Sequence, residues 1–190
     1  DWDQVVQLCR GWDLAATEGD GDYTVGLLLG RYADGRWVVI DMVRGQWGEA
    51  EVRRRIRETA DADAARFGAG MVRQVLPQDP AQAGKAQASQ MVAMLSGHNV
   101  TTERPSGDKV VRSSGWAAQV QGGNCDYVAD AGWDTAAFLK ELQGFPKGQH
   151  DDIVDAGSTA FNEMVGSPMV DDPLAGQAAF QGLTRRTTPY

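Results

Sequence analysis

Carboxylates stand at three separated points of the chain where an apolar segment ends or begins. Asp13 closes the first apolar run, between Trp12 and Leu14. Asp79 follows another, in Leu76-Pro77-Gln78-Asp79-Pro80, and His150-Asp151-Asp152-Ile153-Val154-Asp155 opens the last amphipathic stretch. Asp152 and Asp155 are three apart and so share one face of a helix. With Asp151 as N-cap, Asp152 falls in the first turn, where the helix dipole favours an anion. Carboxylates gathered from three such ends repel one another unless a hard divalent cation fills the space, and Mg²⁺ or Mn²⁺ suits an oxygen-rich cluster. Two such ions about 4 Å apart activate a water and stabilise the leaving oxygen of a phosphodiester. The residues alone leave a plainer reading open, because Asp is also a common loop and cap residue.

Other chemistries lack their residues. There is no Gly-x-x-x-x-Gly-Lys-Ser/Thr and no Gly-x-Ser-x-Gly. His98 and His150 lie far apart with no Cys nearby, which argues against zinc. Cys9 and Cys125 form no Cys-x-x-Cys and read as buried thiols.

The elements that must position the carboxylates follow from periodicity. Val5 to Leu14 and Tyr23 to Leu29 read as strands, and Asp34-Gly35 is a hairpin signal before a returning strand, Trp37 to Val43. An antiparallel meander is expected. Val52, Ile56, Ala60, Ala64 and Phe67 then recur at helical spacing, with Arg53 to Arg57 opposite. A strand Met71–Leu76, a helix 81–95, a strand Asn99–Glu103, a helix Lys109–Val120, a strand Cys125–Val128 and a helix Thr135–Leu142 complete the alternation. Ile153, Ala156, Gly157, Ala160, Phe161 and Met164 make the stripe of the last helix. This is an α/β arrangement whose later strands are most simply parallel. Residues 1–165 are expected as one domain and 166–190, rich in Gly, Pro and Ser, as a tail or linker.

At 190 residues, 42% hydrophobic and 23% charged, the chain has material for one domain core and is not a disordered or coiled-coil sequence. A net charge of −8 argues against a surface that grips nucleic acid throughout, though not against a local basic track. No apolar stretch approaches membrane-spanning length. The opening Asp1-Trp2-Asp3-Gln4 has neither Met nor a basic leader and reads as a piece of a longer protein.

Four segments in order carry a resemblance: Gly11-Trp12-Asp13-Leu14-Ala15-Ala16-Thr17, Gly21-Asp22-Tyr23-Thr24, Gln78-Asp79-Pro80-Ala81-Gln82-Ala83-Gly84-Lys85, and His150-Asp151-Asp152-Ile153-Val154-Asp155-Ala156. Over about residues 9–164 the chain resembles the C-terminal nuclease domain of the large terminase subunit of tailed bacteriophages. Gly107-Asp108-Lys109-Val110-Val111-Arg112 is similar to that family's Lys-x-x-Arg segment. The resemblance implies an RNase H-like fold, a mixed central sheet with helices on both faces. It implies a Mg²⁺- or Mn²⁺-dependent endodeoxyribonuclease, using two ions, that cuts concatemeric viral DNA around capsid filling.

Carried over residue by residue, Asp13, Asp79 and Asp152 are the expected catalytic residues. Asp13 bridges the metals, Asp79 stands where many relatives have Glu, and Asp152 is the helix ligand. Asp151 and Asp155 complete the expected metal set, and His150 positions water or a phosphate. Lys85, Arg104, Lys109 and Arg112 are the expected DNA-binding residues. The implied partners are double-stranded DNA, the packaging ATPase domain of the full-length protein, the portal and the small terminase subunit, without a membrane. The implied location is the host cytoplasm. The ATPase half is missing from this sequence, so translocation is not expected of it alone. A junction resolvase or transposase of the same fold is the competing enzyme reading, and a non-catalytic docking module the competing non-enzyme one.

Overall fold

A computed structural model describes residues 4–15, 21–78, 82–104, 109–129, 131–167 and 184–187. The meander forms as the pattern predicts: β1 (Val5–Asp13), β2 (Thr24–Tyr32) and β3 (Trp37–Gly45) are sequential antiparallel neighbours. After α1 (Glu49–Phe67), β4 (Val72–Pro77) lies parallel to β1, and after α2 (Gln82–Met94), β5 (Asn99–Glu103) lies parallel to β4. α3 (Lys109–Gln121) leads to β6 (Cys125–Ala129), parallel to β3 at the other side of the meander. α4 (Thr135–Gly144) and α5 (Asp152–Gly166) follow. The sheet order is β5-β4-β1-β2-β3-β6-β7, mixed in direction with helices on both faces.

One strand was not foreseen. Thr184–Thr187, inside the segment expected as a tail or linker, forms β7 and pairs antiparallel with β6. Its polar sequence lacks apolar alternation, and Thr184, Arg186 and Thr187 are exposed, so backbone pairing with β6 defines it. Thr187 Oγ1 also donates to the buried Asp126 Oδ1 at 3.1 Å.

Strand alternation divides β1 between two layers. Cys9 and Gly11 face α5, while Leu8, Arg10 and Trp12 face the α1 side. On the α5 side, Val25, Leu27, Trp116, Val120, Phe138, Ile153, Ala156 and Ala160 share one apolar cluster. α5 lies almost in van der Waals contact with the β1 backbone. A Cβ at Gly11 would be driven into Ala156 O and would stand 2.7 Å from Ala160 N. Gly157, on the adjoining flank of the helix, makes the same allowance for the Trp116 ring of α3.

The opposite layer holds a buried polar network. Arg10 is 1% exposed. Its Nε and Nη2 donate to the two carboxylate oxygens of Asp63 at 2.8 and 2.7 Å, and Nη2 also donates to Asp41 Oδ2 at 2.7 Å. Nη1 donates to Gly26 O at 2.9 Å. Gln74 Nε2 donates to Asp63 Oδ2 and accepts on Oε1 from Trp12 Nε1, both at 2.9 Å. With each of these buried groups hydrogen-bonded, the desolvation that would otherwise make an internal Arg–Asp pair unfavourable is offset. β1 is thereby tied through α1 on one face while α5 seats on the other. Both cysteines are free and buried, as expected, and burial pushes the Cys125 thiol up to about 12.

Candidate metal and phosphate site

Asp13 ends β1 on the α5 face, and its strand partner Val25 belongs to the apolar cluster under α5. Just beyond, Ala15 N donates to Thr24 Oγ1 at 3.1 Å, holding the chain as it leaves the strand. α5 descends over Gly11 with Ala160 and Ala156, so the helix N-terminus points toward the end of the sheet where Asp13 lies.

Asp151 does occupy the N-cap position of α5, but its side chain makes no capping hydrogen bond. The acceptor comes from α4 instead. Glu141 Oε1 accepts from Ile153 N at 2.6 Å and from Val154 N at 3.1 Å. These first-turn N–H groups have no intrahelical partner, and a carboxylate there is favoured by both hydrogen bonding and the helix dipole. Burial is the main influence on Glu141 and pushes its carboxyl up to about 7. The two N–H donors and Arg44 pull the other way, and Asp152 adds to the rise.

Asp152, in the first turn, is 3% exposed. Its Oδ2 accepts from Tyr23 N at 3.2 Å and lies 3.8 Å from His150 Nδ1. Asp22, exposed just before Tyr23, completes a group in which one donor atom each of Asp22, His150 and Asp152 lies within 4.8 Å of the others. Burial raises the Asp152 pKa, and the charges of Asp22 and Asp151 add to that rise against the Tyr23 N–H and His150. Two carboxylates and an imidazole converging at this spacing fit a divalent cation that accepts oxygen with one nitrogen, Mn²⁺ readily and Mg²⁺ through the carboxylates. A cation would also relieve the like-charge pressure on Asp152.

An aromatic and a cation border the group. The Tyr23 ring meets His150 edge-on with centroids 5.4 Å apart. The Arg44 guanidinium carbon lies 3.3 Å from the centroid of the same tyrosine ring.

Of the residues expected from sequence, Asp152 and His150 are brought together, with Asp13 on the same sheet face at the same end. Asp155 is half-buried one turn further along α5, and its N donates to Asp151 O at 2.9 Å. Asp79 and its neighbours lie outside the described residues. Lys85 is exposed on α2, whose Met91, with Leu95 just past the helix end, packs with Trp12 and α1 on the opposite face of the sheet. Arg104 is exposed just beyond β5. Arg112 lies in α3, where its O accepts from Asn162 Nδ2, ten residues and about 15 Å along α5 from Asp152. Lys109 begins α3.

Sequence reasoning missed Asp22, Glu141 and Arg44. Asp22 lay within a segment quoted for resemblance but was given no role. Glu141 carries no motif, and Arg44 falls just past the expected end of its strand.

A family model described as the terminase RNase H-like domain matches residues 10–164. No curated protein matches the chain in sequence. Among solved structures, the yeast mitochondrial Holliday junction resolvase Ydc2 is similar at a TM-score of 0.50 and 12% identity, over 94% of this chain and 82% of that one. RuvC of T. thermophilus in complex with Holliday junction substrate is similar at a TM-score of 0.45 and 10% identity, over 86% of this chain and 100% of that one. At such identity the likeness to Ydc2 is one of fold.

Proposed function

This chain belongs to the terminase RNase H-like domain family, and on that premise we propose that it is the metal-dependent DNA endonuclease domain of a viral packaging terminase. The observation that carries the reading is the convergence of Asp22, His150 and Asp152 at the α5 N-terminus, on the sheet face and end that present Asp13. Asp22, His150 and Asp152 would hold one divalent ion, and Asp13 with Asp79, Asp151 and Asp155 are the candidate ligands for sharing it or holding a second. Such ions, when bound, supply an activated water and stabilise charge on the leaving oxygen of a phosphodiester. The protein's own part is positioning. Glu141 fixes the first turn of α5, the Tyr23 N–H orients the Asp152 carboxylate, and Tyr23 limits the movement of His150.

The proposal extends to residues 1–165 as the nuclease unit, to double-stranded DNA as substrate, and to an attached packaging ATPase, portal and small terminase subunit as partners in the host cytoplasm. Among the described residues no helix is long and apolar enough to cross a membrane.

The test is nicking of supercoiled plasmid in Mn²⁺ or Mg²⁺ and in EDTA, with a four-way junction as parallel substrate. Metal-dependent plasmid cutting that falls at least a hundredfold in Asp152→Asn and Asp13→Asn supports the reading. Preference for the junction would favour a resolvase, and wild-type cutting in EDTA or in either variant would overturn it. The same variants should melt no lower than wild type without metal, since each removes a charge from a like-charge group. Their gain in melting temperature with Mn²⁺ should shrink.

A further inference from the structure

Asp13 pairs with Val25 across β1 and β2, and Val25 pairs with Arg44 across β2 and β3. Directly opposed residues of antiparallel strands project to the same face. Asp13, Val25 and Arg44 therefore form one row across the α5 face, and with strands about 4.8 Å apart Arg44 stands about 10 Å from Asp13. The next row repeats the pattern with Gly11, Leu27 and Met42, of which Leu27 and Met42 lie in the apolar cluster under α5. Arg44 is thus the row's cation, at the same end of the sheet as the Asp22–His150–Asp152 group.

Among the described residues Arg44 makes no salt bridge, although its charge reaches Glu141 and lowers that carboxyl. The guanidinium carbon lies over the Tyr23 ring, 3.3 Å from its centroid, and Tyr23 in turn contacts His150 and donates its N–H to Asp152. The Arg44 Nε is buried and has no hydrogen-bond partner among the described residues. The fully buried Arg10 of β1 shows the contrast, since its Nε, Nη1 and Nη2 each donate to a protein acceptor. A stacked guanidinium is oriented in advance, with its edge donors left for a planar or tetrahedral anion. Beside a group of carboxylates, the anion that fits is one brought with metal ions, a phosphodiester oxygen pair.

We propose that Arg44, held on the Tyr23 ring, is a phosphate-binding residue that grips the DNA backbone next to the carboxylate group. This rests on the nuclease reading above and supplies the local cation that a chain of net charge −8 needs. It also places the phosphate contact on β3 rather than on the Lys85 and Arg112 helices.

The experiment is binding of a short fluorescein-labelled duplex to the 190-residue chain across a salt titration with Ca²⁺ in place of Mn²⁺, alongside plasmid nicking in Mn²⁺ and thermal melting with and without Mn²⁺. Arg44→Gln should weaken duplex binding ~10-fold, as expected for loss of a charge-assisted contact, and lower the salt slope by about one. Its loss in nicking should appear in KM more than in kcat, while the Mn²⁺-induced rise in melting temperature stays as in wild type. Arg44→Lys, which keeps the charge without the fork, should restore the slope but only part of the affinity.

Wild-type affinity and slope in Arg44→Gln overturn the proposal. So does loss of the Mn²⁺ response together with binding, because Arg44 would then be holding the carboxylate group instead of DNA. Should Arg44→Gln fail to fold, wild-type affinity in Arg44→Lys overturns the assignment and a several-fold loss with the slope kept supports it. A wild type that neither binds duplex nor nicks plasmid overturns the nuclease reading as well. A wild type that nicks while Arg44→Gln is indistinguishable overturns only Arg44.

Discussion

Glu141 makes the stability of this protein depend on pH in an unusual direction. Its folded-state pKa, about 7, lies above its ordinary 4.5. The fold therefore keeps a proton that the unfolded chain releases, so the Glu141 contribution to stability is full below 4.5 and is lost as pH rises through about 7. Asp152, raised by burial, acts in the same sense. At 1.36 kcal/mol for each pH unit, the rise from 4.5 to about 7 bounds the Glu141 loss near 3 kcal/mol, and residual solvent screening lowers it to about 1–3 kcal/mol. Glu141→Gln retains an oxygen that can accept from Ile153 N and Val154 N but cannot ionise. It should match wild type within about 1 kcal/mol at pH 4.5 and exceed it by about 1–3 kcal/mol at pH 8. Glu141→Ala leaves two first-turn N–H groups without their acceptor and should lose about 2–4 kcal/mol at either pH. Urea unfolding in EDTA at pH 4.5, 6 and 8 measures all three proteins. Parallel pH profiles for wild type and Glu141→Gln would refute the reasoning, as would a stable Glu141→Ala.

Two further outcomes follow from the packing of β1. Gly11→Ala should displace α5, since the new methyl meets backbone atoms of Ala156 and Ala160 rather than a side chain that can turn away. A fall in melting temperature with loss of Mn²⁺-dependent nicking is expected, and a wild-type crystal position for α5 in the variant would contradict it. Asp63→Ala leaves Arg10 buried with half of its acceptors gone and should cost about 3–5 kcal/mol by urea unfolding. Asp63→Asn, which keeps the shape and an acceptor oxygen, should cost less, and equal losses in the two variants would mean that the lost charge alone decides, with packing and the retained acceptor contributing nothing.

Asp152 was legible because helix periodicity and strand order are local signals, and the stripe from Ile153 to Met164 locates the helix start to within a residue. The hairpin at Asp34-Gly35 made the meander readable for the same reason. What stayed hidden is long-range. Glu141 sits on a separate helix and reaches the α5 N–H groups only once α4 and α5 are packed, so the sequence pointed to the adjacent Asp151 as the cap. Arg44 acquires its meaning from pairing with Val25, and Val25 from Asp13, a row that strand register creates and spacing along the chain does not. Arg10 lies in an apparently apolar run, and its partners Asp41 and Asp63 are 31 and 53 residues away. β7 pairs across 61 residues at Asp126–Thr187 with no apolar pattern to announce it.

The seat of α5 on Gly11 has a consequence for how this protein tolerates sequence drift. Most helix-on-sheet spacings are set by the side chains between the layers and shift by fractions of an ångström whenever Leu becomes Val or Ile becomes Met. Here main chain rests on main chain, and the gauge between the strand that ends at Asp13 and the helix that begins at Asp152 has no side chain in it. Lineages can therefore exchange residues among Trp116, Val120 and Phe138, repacking α5 against α3 and α4, while the spacing of the carboxylates stays put. Core divergence and retention of the reactive geometry become separable, and distant relatives can differ almost everywhere in the interior yet present the same arrangement to a substrate.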